Sequence, residues 1–348
     1  MKKIVLTGGG TGGHVVPHLS LIDTLKKDFE IHYIGTNGIE KEIMKDTPVV
    51  YHTISAVKLE RDKKLKNLLL PFKLLASISA CKKILKKIKP DIIFSKGGFV
   101  SLPVVIAGKS RKIKIISHES DLTMGIANKI IYKYSDVFCT SFEDTAKGLK
   151  KAVVTGCPIR KDIFNGSITR GKNITKFNNN KKTLLFMGGS TGAKAINDCL
   201  IDSLDLLLKD YNIINIVGKN KGNDIKKPGY LQLEYVKNIE DIFAVTDFII
   251  SRAGANAIYE FVALKKPTLL IPLPKGASRG DQVENANNFK QKGLVNVLFQ
   301  ENLNSATLIS EIKKLEKDKD TLIKNMTNFK YKNGSENILK EMYNFVKN

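Results

Sequence analysis

"IVLTGGGTGGHVVPHLSLIDTL" at residues 4–25 and "LLFMGGSTGAKAINDCLIDSL" at 184–204 follow one plan. In each, an apolar run meets a glycine turn, small residues follow, and a helical pattern begins. A second pair, "DIIFSKGGFVSLP" (91–103) and "DFIISRAGANAIY" (247–259), repeats the idea. Here a strand ending in serine and a basic residue meets small residues at a helix start. The two pairs fall in the same order in the two halves of the chain, which predicts two similar doubly wound α/β domains.

The remaining apolar runs fit that plan. Strands are predicted at 3–7, 30–34, 49–54, 91–95, 113–117, 137–140 and 153–155, then at 183–187, 213–217, 230–235, 247–250, 268–272 and 296–299. Helical spacing fills most of the gaps, so the sheets should be parallel. A length of 348 residues suits two domains. The polar, Asn-rich stretch 170–182 reads as an interdomain linker or a surface loop. Helical spacing at 335–345 predicts a last helix that docks on the body of the protein.

Composition narrows the function. The formal net charge of +23 favours an anionic partner. Nucleic-acid binding is disfavoured, because there is no Trp and no aromatic residues interleave with Lys and Arg for base stacking. The four cysteines are far apart and form no C-x-x-C pair, so they read as buried thiols in a reducing cytoplasm. The apolar run before Thr7 is too short for a signal sequence. No segment supplies the roughly 20 apolar residues of a membrane span. The longest candidate, 68–80, is broken by Pro71 and Lys73.

Gly8, Gly10 and Gly13 spell the G-x-G-x-x-G dinucleotide fingerprint. That site also needs a carboxylate at the end of the second strand, about 20 residues on, to receive the ribose. The second strand here, "EIHYIG" (30–35), ends without one. A nicotinamide loop has no use for His14 either. The general chemistry survives: backbone N–H groups at a helix start accept a phosphate or another anion. Both glycine loops are candidates, with a bare strand–helix turn as the alternative.

At this point the motifs "GGGTGGH" (8–14), "HESD" (118–121), "GCPIR" (156–160), "GGSTGA" (188–193), "SRAGANAIYE" (251–260) and "DQVENA" (281–286) resemble, in order and spacing, the MurG family of peptidoglycan glycosyltransferases. The resemblance covers nearly the whole chain. It implies a GT-B fold, with two Rossmann-like doubly wound parallel-sheet domains facing a central cleft. Residues 1–160 would form the acceptor and membrane side, 161–328 the UDP-GlcNAc donor side, and 329–348 a helix returning to the first domain. The implied reaction moves N-acetylglucosamine from UDP-GlcNAc to the C4 hydroxyl of the muramoyl sugar of lipid I, undecaprenyl-diphospho-MurNAc-pentapeptide. The product is β(1→4)-linked lipid II, formed with inversion and without a cofactor. Another UDP-sugar transferase acting on a lipid is the alternative; it would lack "HESD" together with "DQVENA".

The resemblance also assigns roles. Glu260 receives the ribose hydroxyls of the donor, or is simply a helix-surface carboxylate. Ser190 and Thr191 contact the diphosphate, or act as plain caps. Gln282 meets the GlcNAc hydroxyls, and the backbone near Val236 meets the uracil. Arg160 serves the diphosphate or the hinge. Thr11, Gly12, Gly13 and Asp121 are expected to bind substrate. His14 is the candidate general base, since an imidazole titrates near neutral pH. Glu119 is its rival, and His18 is read as orienting or surface. Thr191, Asp121 and Asp281 depart from the usual family residues. No His/Cys cluster has metal-ligand spacing. The only D-x-D stretch, Asp318-Lys319-Asp320, reads as a solvated helix face, so no metal is expected.

The acceptor carries a polyprenyl chain, so the enzyme should dock peripherally on the cytoplasmic face of the membrane. Segment 58–89 holds eleven Lys/Arg and two acidic residues, a net +9, around the apolar "LLLPF" (68–72). Apolar side chains ringed by lysines suit an anionic surface. Leu75, Ile78, Ile84, Leu85 and Ile88 are expected to face the core of the domain.

Overall fold

The computed structural model describes residues 1–56, 70–177, 179–189 and 192–347. The chain divides into two compact units, Met1–Arg160 with Lys332–Asn348, and Lys161–Tyr331. In the first unit the strands are β1 (Lys2–Thr7), β2 (Phe29–Gly35), β3 (Val50–Thr53), β4 (Ile92–Ser95), β5 (Lys114–Glu119), β6 (Val137–Thr140) and β7 (Ala152–Val154). They form one sheet in the order β3-β2-β1-β4-β5-β6-β7. The second unit has β8 (Lys182–Met187), β9 (Tyr211–Ile216), β10 (Tyr230–Leu233), β11 (Phe248–Ser251), β12 (Thr268–Leu270) and β13 (Asn296–Val297). Their order is β10-β9-β8-β11-β12-β13. All these pairings are parallel. Every predicted strand is found, most with shifted ends and β6 with the predicted bounds.

The apolar runs form strands because both faces of each sheet are covered. In β1, Ile4 and Leu6 join one buried cluster with Ile92, Phe94 and Ile116. Val5 points to the other face, among Ile93, Ile115, Leu85 and Ile88. The chain order reverses between β1 and β4, and again between β8 and β11. In doubly wound sheets ligands bind outside the strand carboxyl ends at such reversals. The repeated sequence pairs fall on those four strands.

The last helix, Gly334–Lys347, belongs to the first unit. Ile338, Leu339 and Met342 enter the Ile4 cluster. Tyr343 donates its hydroxyl to Asp28 at 2.6 Å, and Asn337 Nδ2 donates to the Thr155 carbonyl at 2.8 Å.

Two readings need correction. Stretch 170–182 is no interdomain linker: it lies inside the second unit, its first part in helix Ile168–Thr175 and its end at the start of β8, and only residues 176–177 and 179–181 between them are the surface loop. The Ser167 side chain caps this helix by accepting from Arg170 N at 3.3 Å, and Arg170 pairs with the buried Asp241 at 2.8 Å. The helix is anchored by that ion pair and by Gly171, set against the Asp241 carbonyl. An apolar stripe was therefore not needed, and none was visible. Leu75 is the second correction. Helix Leu70–Ile88 buries Ser77, Cys81, Leu85 and Ile88, while Leu75 is 63% exposed and Phe72 70% exposed. Ile78 and Ile84 are partly buried against the core. Residues 57–69, including Leu68 and Leu69 of "LLLPF", lie outside the described residues. No helix among the described residues is long and apolar enough to cross a membrane. All four cysteines are buried.

Candidate active site

In the first unit the loops after β1 and β4 lie at the reversal of strand order. The β1 loop is tightly built. Tyr33 donates its hydroxyl to the Gly8 carbonyl at 2.8 Å. A Cβ on Gly10, at φ +83°, would lie 2.3 Å from the Phe99 ring. A 3₁₀ turn, Gly12–His14, leads into helix Val16–Leu25, which has Pro17 in its first turn. Thr11 and Gly13 are exposed and Gly12 is buried. His14 is half-buried, with Nδ1 3.2 Å from Thr11 Oγ1. The β4 loop leans on the same group: a Cβ on Gly98, at φ +82°, would sit 3.0 Å from His14 Nδ1 and 2.8 Å from the Gly9 carbonyl.

Glu40 escaped the sequence reading. It is fully buried, and its carboxylate accepts from Thr36 N at 2.9 Å and weakly from Gly10 N at 3.4 Å. A carboxylate thus stands a few residues past the end of β2, but it is engaged by Thr36 and, more weakly, by the glycine loop.

The "HESD" motif spans the end of β5 and the loop after it. Glu119 is 3% exposed. It accepts from Asp121 N at 3.0 Å on one oxygen, and from Asn128 Nδ2 at 2.8 Å and Gly125 N at 3.4 Å on the other. These bonds hold the 120–128 loop in place. To act as a base, Glu119 would have to give some of them up. Asp121 is partly buried within that loop, and Arg160 is the partly buried last residue of the unit's first segment. His18 is not at the surface: it is fully buried, edge-on to Tyr33 and Phe94. Burial, helped by the nearby Lys96 charge, pulls its pKa down to about 3, so it stays neutral.

In the second unit the corresponding loops follow β8 and β11. Gly192, at φ +68°, admits no side chain, since a Cβ would lie 2.0 Å from the Val217 carbonyl. Ser190 and Thr191 lie outside the described residues. The residues ahead of helix Lys194–Leu207 and helix Ala255–Ala263, Ala193 and Gly254, supply no side-chain cap. A Cβ on Gly254 would meet nothing within 4 Å. Two helix starts at one strand reversal, each behind an N-cap residue that offers no side-chain cap, suit an anionic group. Glu260 is partly buried on the second of these helices. Val236, just past β10, is partly buried against the cluster around Phe243 and Phe261.

Gln282, at the start of helix Asp281–Gln291, ties this region together. Its Oε1 accepts from Leu273 N at 3.0 Å and Ala253 N at 3.3 Å. The amide oxygen is therefore occupied by backbone, and the NH₂ is the half suited to a sugar hydroxyl. Arg252 braces the same two loops through the Ile271 and Pro272 carbonyls, at 3.0 and 3.3 Å. Among the described residues no group of His, Cys, Asp or Glu is arranged to hold a metal ion. Asp318 of the D-x-D stretch accepts from Asn296 at 2.9 Å.

Two doubly wound units, each with a glycine loop at its strand reversal, have the architecture of the GT-B fold. The family model for the glycosyltransferase family 28 N-terminal domain matches residues 4–139, and that for the family 28 C-terminal domain matches 183–342. A UDP-N-acetylglucosamine--N-acetylmuramyl-(pentapeptide) pyrophosphoryl-undecaprenol N-acetylglucosamine transferase from Clostridium botulinum is 49% identical over 99% of this chain and 98% of its own. A relative of the same name from Lachnospira eligens is 49% identical over 94% of each. The chain belongs to this family of transferases. The crystal structure of Acinetobacter baumannii MurG superposes with a TM-score of 0.75 at 20% identity, covering 99% of this chain and 100% of that one, and shares the fold.

Proposed function

We propose that the enzyme transfers N-acetylglucosamine from UDP-GlcNAc to the C4 hydroxyl of the muramoyl sugar in lipid I. Anomeric inversion would give the β(1→4) link of lipid II. The observation that carries this reading is near-half identity, over almost the full chain, to relatives bearing that activity in their names. The second unit takes the donor: the helix starts behind Ala193 and Gly254 receive the diphosphate, Glu260 the ribose, Gln282 Nε2 a GlcNAc hydroxyl, and the backbone near Val236 the uracil. The first unit takes the acceptor along Thr11, Gly12, Gly13 and Asp121, with Arg160 answering diphosphate charge.

His14 is the proposed base. With Nδ1–H directed at Thr11 Oγ1, the lone pair falls on Nε2, which takes the C4 hydroxyl proton as the sugar is attacked. Glu119 serves as the anchor of the acceptor loop, because its oxygens already accept from that loop. Docking on the cytoplasmic face of the membrane would bring the enzyme to its lipid acceptor. Exposed Phe72 and Leu75, with exposed Lys73, Lys82, Lys83, Lys86 and Lys87 on the same helix, support a peripheral contact with anionic headgroups. The reading is tested by mixing the protein with UDP-GlcNAc and a lipid I analogue in EDTA. Turnover to a disaccharide–lipid with release of UDP is expected. No product, or product only after adding Mg²⁺ or Mn²⁺, would overturn it.

A further inference from the structure

Lys96 stands at the end of β4, immediately before the Gly97–Gly98 pair that leans on His14. It is 1% exposed. Its Nζ donates to His118 Nδ1 at 2.8 Å and to Ser120 Oγ. His118 Nε2 in turn donates to the Gly156 carbonyl at 3.0 Å, which fixes the tautomer and leaves Nδ1 to accept. Both partners of the ammonium are therefore neutral. Burial and the Lys96 charge hold His118 well below the usual histidine range, so it does not compete for the charge. Among the described residues no carboxylate comes within ion-pairing distance of Lys96.

A buried cation with no carboxylate in direct contact is unfavourable unless something else uses the charge; Glu119 and Asp121 act on it only at longer range. Lys96 shares its buried environment with fully buried His18, on helix Val16–Leu25, and the start of that helix also presents a positive dipole end. The first unit thus places beside its glycine loops a buried positive charge that Glu119 and Asp121 offset only from beyond ion-pairing distance. Charge stored there in a low-dielectric setting acts over several ångströms on an anion at the loop surface.

We propose that Lys96 is an electrostatic selectivity residue of the acceptor side, acting from beneath the glycine loops to favour an acceptor that carries a diphosphate. This rests on the lipid-acceptor reading above. The groups bearing on the Lys96 charge are His18, His118, Glu119, Asp121, Cys139 and Cys157. Desolvation outweighs the acidic groups among them and brings the Lys96 pKa down to about 8. The charge is thus present at neutral pH and lost in mildly alkaline buffer.

The test compares the KM for a diphosphate-bearing lipid I analogue with that for the same muramoyl-peptide lacking the diphosphate, from pH 7 to 9.5, in the wild type and in Lys96→Met. In the wild type, KM for the diphosphate acceptor should rise about tenfold across pH 8, while KM for the diphosphate-free acceptor and for UDP-GlcNAc stays level. Lys96→Met should show the raised, flat value throughout. A wild-type KM for the diphosphate acceptor that is level across pH 8, or that moves equally for both acceptors, overturns the proposal even if Lys96→Met fails to fold. A folded Lys96→Met with unchanged KM and profile overturns it as well. Absence of turnover by the wild type with either acceptor would instead refute the lipid-acceptor reading.

Discussion

Replacing Gln282 separates a structural from a ligand-binding use of one side chain. Its Oε1 accepts two backbone N–H groups, from Leu273 at 3.0 Å and Ala253 at 3.3 Å. Gln282→Ala leaves both donors without that acceptor. A buried unsatisfied amide costs about 1–3 kcal/mol. One bond is long and the site is partly buried, so the lower end applies, and about 2 kcal/mol in total is expected. For a domain of this size that is roughly 4–8 °C in melting temperature. Gln282→Glu keeps an oxygen for both donors and should lose less than about 1 kcal/mol. It removes the NH₂, however, and sets a negative charge near the diphosphate. Differential scanning fluorimetry and donor KM should therefore diverge. Ala lowers both stability and donor affinity, whereas Glu spares stability and raises the UDP-GlcNAc KM at least tenfold. If Glu destabilises as much as Ala, the clamp is wrongly assigned. If Glu leaves the donor KM unchanged, Gln282 does not serve the sugar.

Four further outcomes are expected. His14→Ala should lower kcat by about 10²–10⁴ with little change in donor KM; full activity in His14→Ala with a folded but inactive Glu119→Gln would move the base to Glu119. Glu260→Ala should weaken UDP-GlcNAc binding in calorimetry, and an unchanged Kd would remove it from the ribose. His18 has a folded pKa lowered to about 3, so between pH 6.5 and 3 the unfolded chain binds the extra proton and stability falls as pH falls, by about 1.4 kcal/mol per pH unit. Melting temperature measured from pH 7 to pH 5 should drop, and a His18→Phe variant with the same slope would show that the histidine is not responsible. Phe72→Ser with Leu75→Ser should reduce sedimentation with anionic vesicles while sparing UDP-GlcNAc binding; undiminished vesicle binding would place the docking face elsewhere.

Strand positions and the two-domain repeat were legible because parallel strands are covered on both faces. The runs 4–6, 92–94, 184–186 and 248–250 are apolar without interruption, a pattern that few surface segments share. The glycine loops were legible for a steric reason, since positions such as Gly10 and Gly192 admit no Cβ. The last helix announced itself through the spacing of Ile338, Leu339 and Met342. Other features depend on residues that meet only when the sheet forms. Lys96 follows β4, His118 lies near the end of the neighbouring β5, and Gly156 comes from just past β7. Nothing local to Lys96 distinguishes it from the other lysines in a very basic protein. Glu40 likewise becomes part of the glycine loop only because its helix folds back over the end of β2. Helix Ile168–Thr175 was hidden because an ion pair to Asp241, 71 residues away, holds it where an apolar stripe would normally do so. Apolar burial is written into the sequence with a regular period. Buried polar contacts have no period, because each is made by pairing distant groups, and only the tertiary structure decides which groups those are.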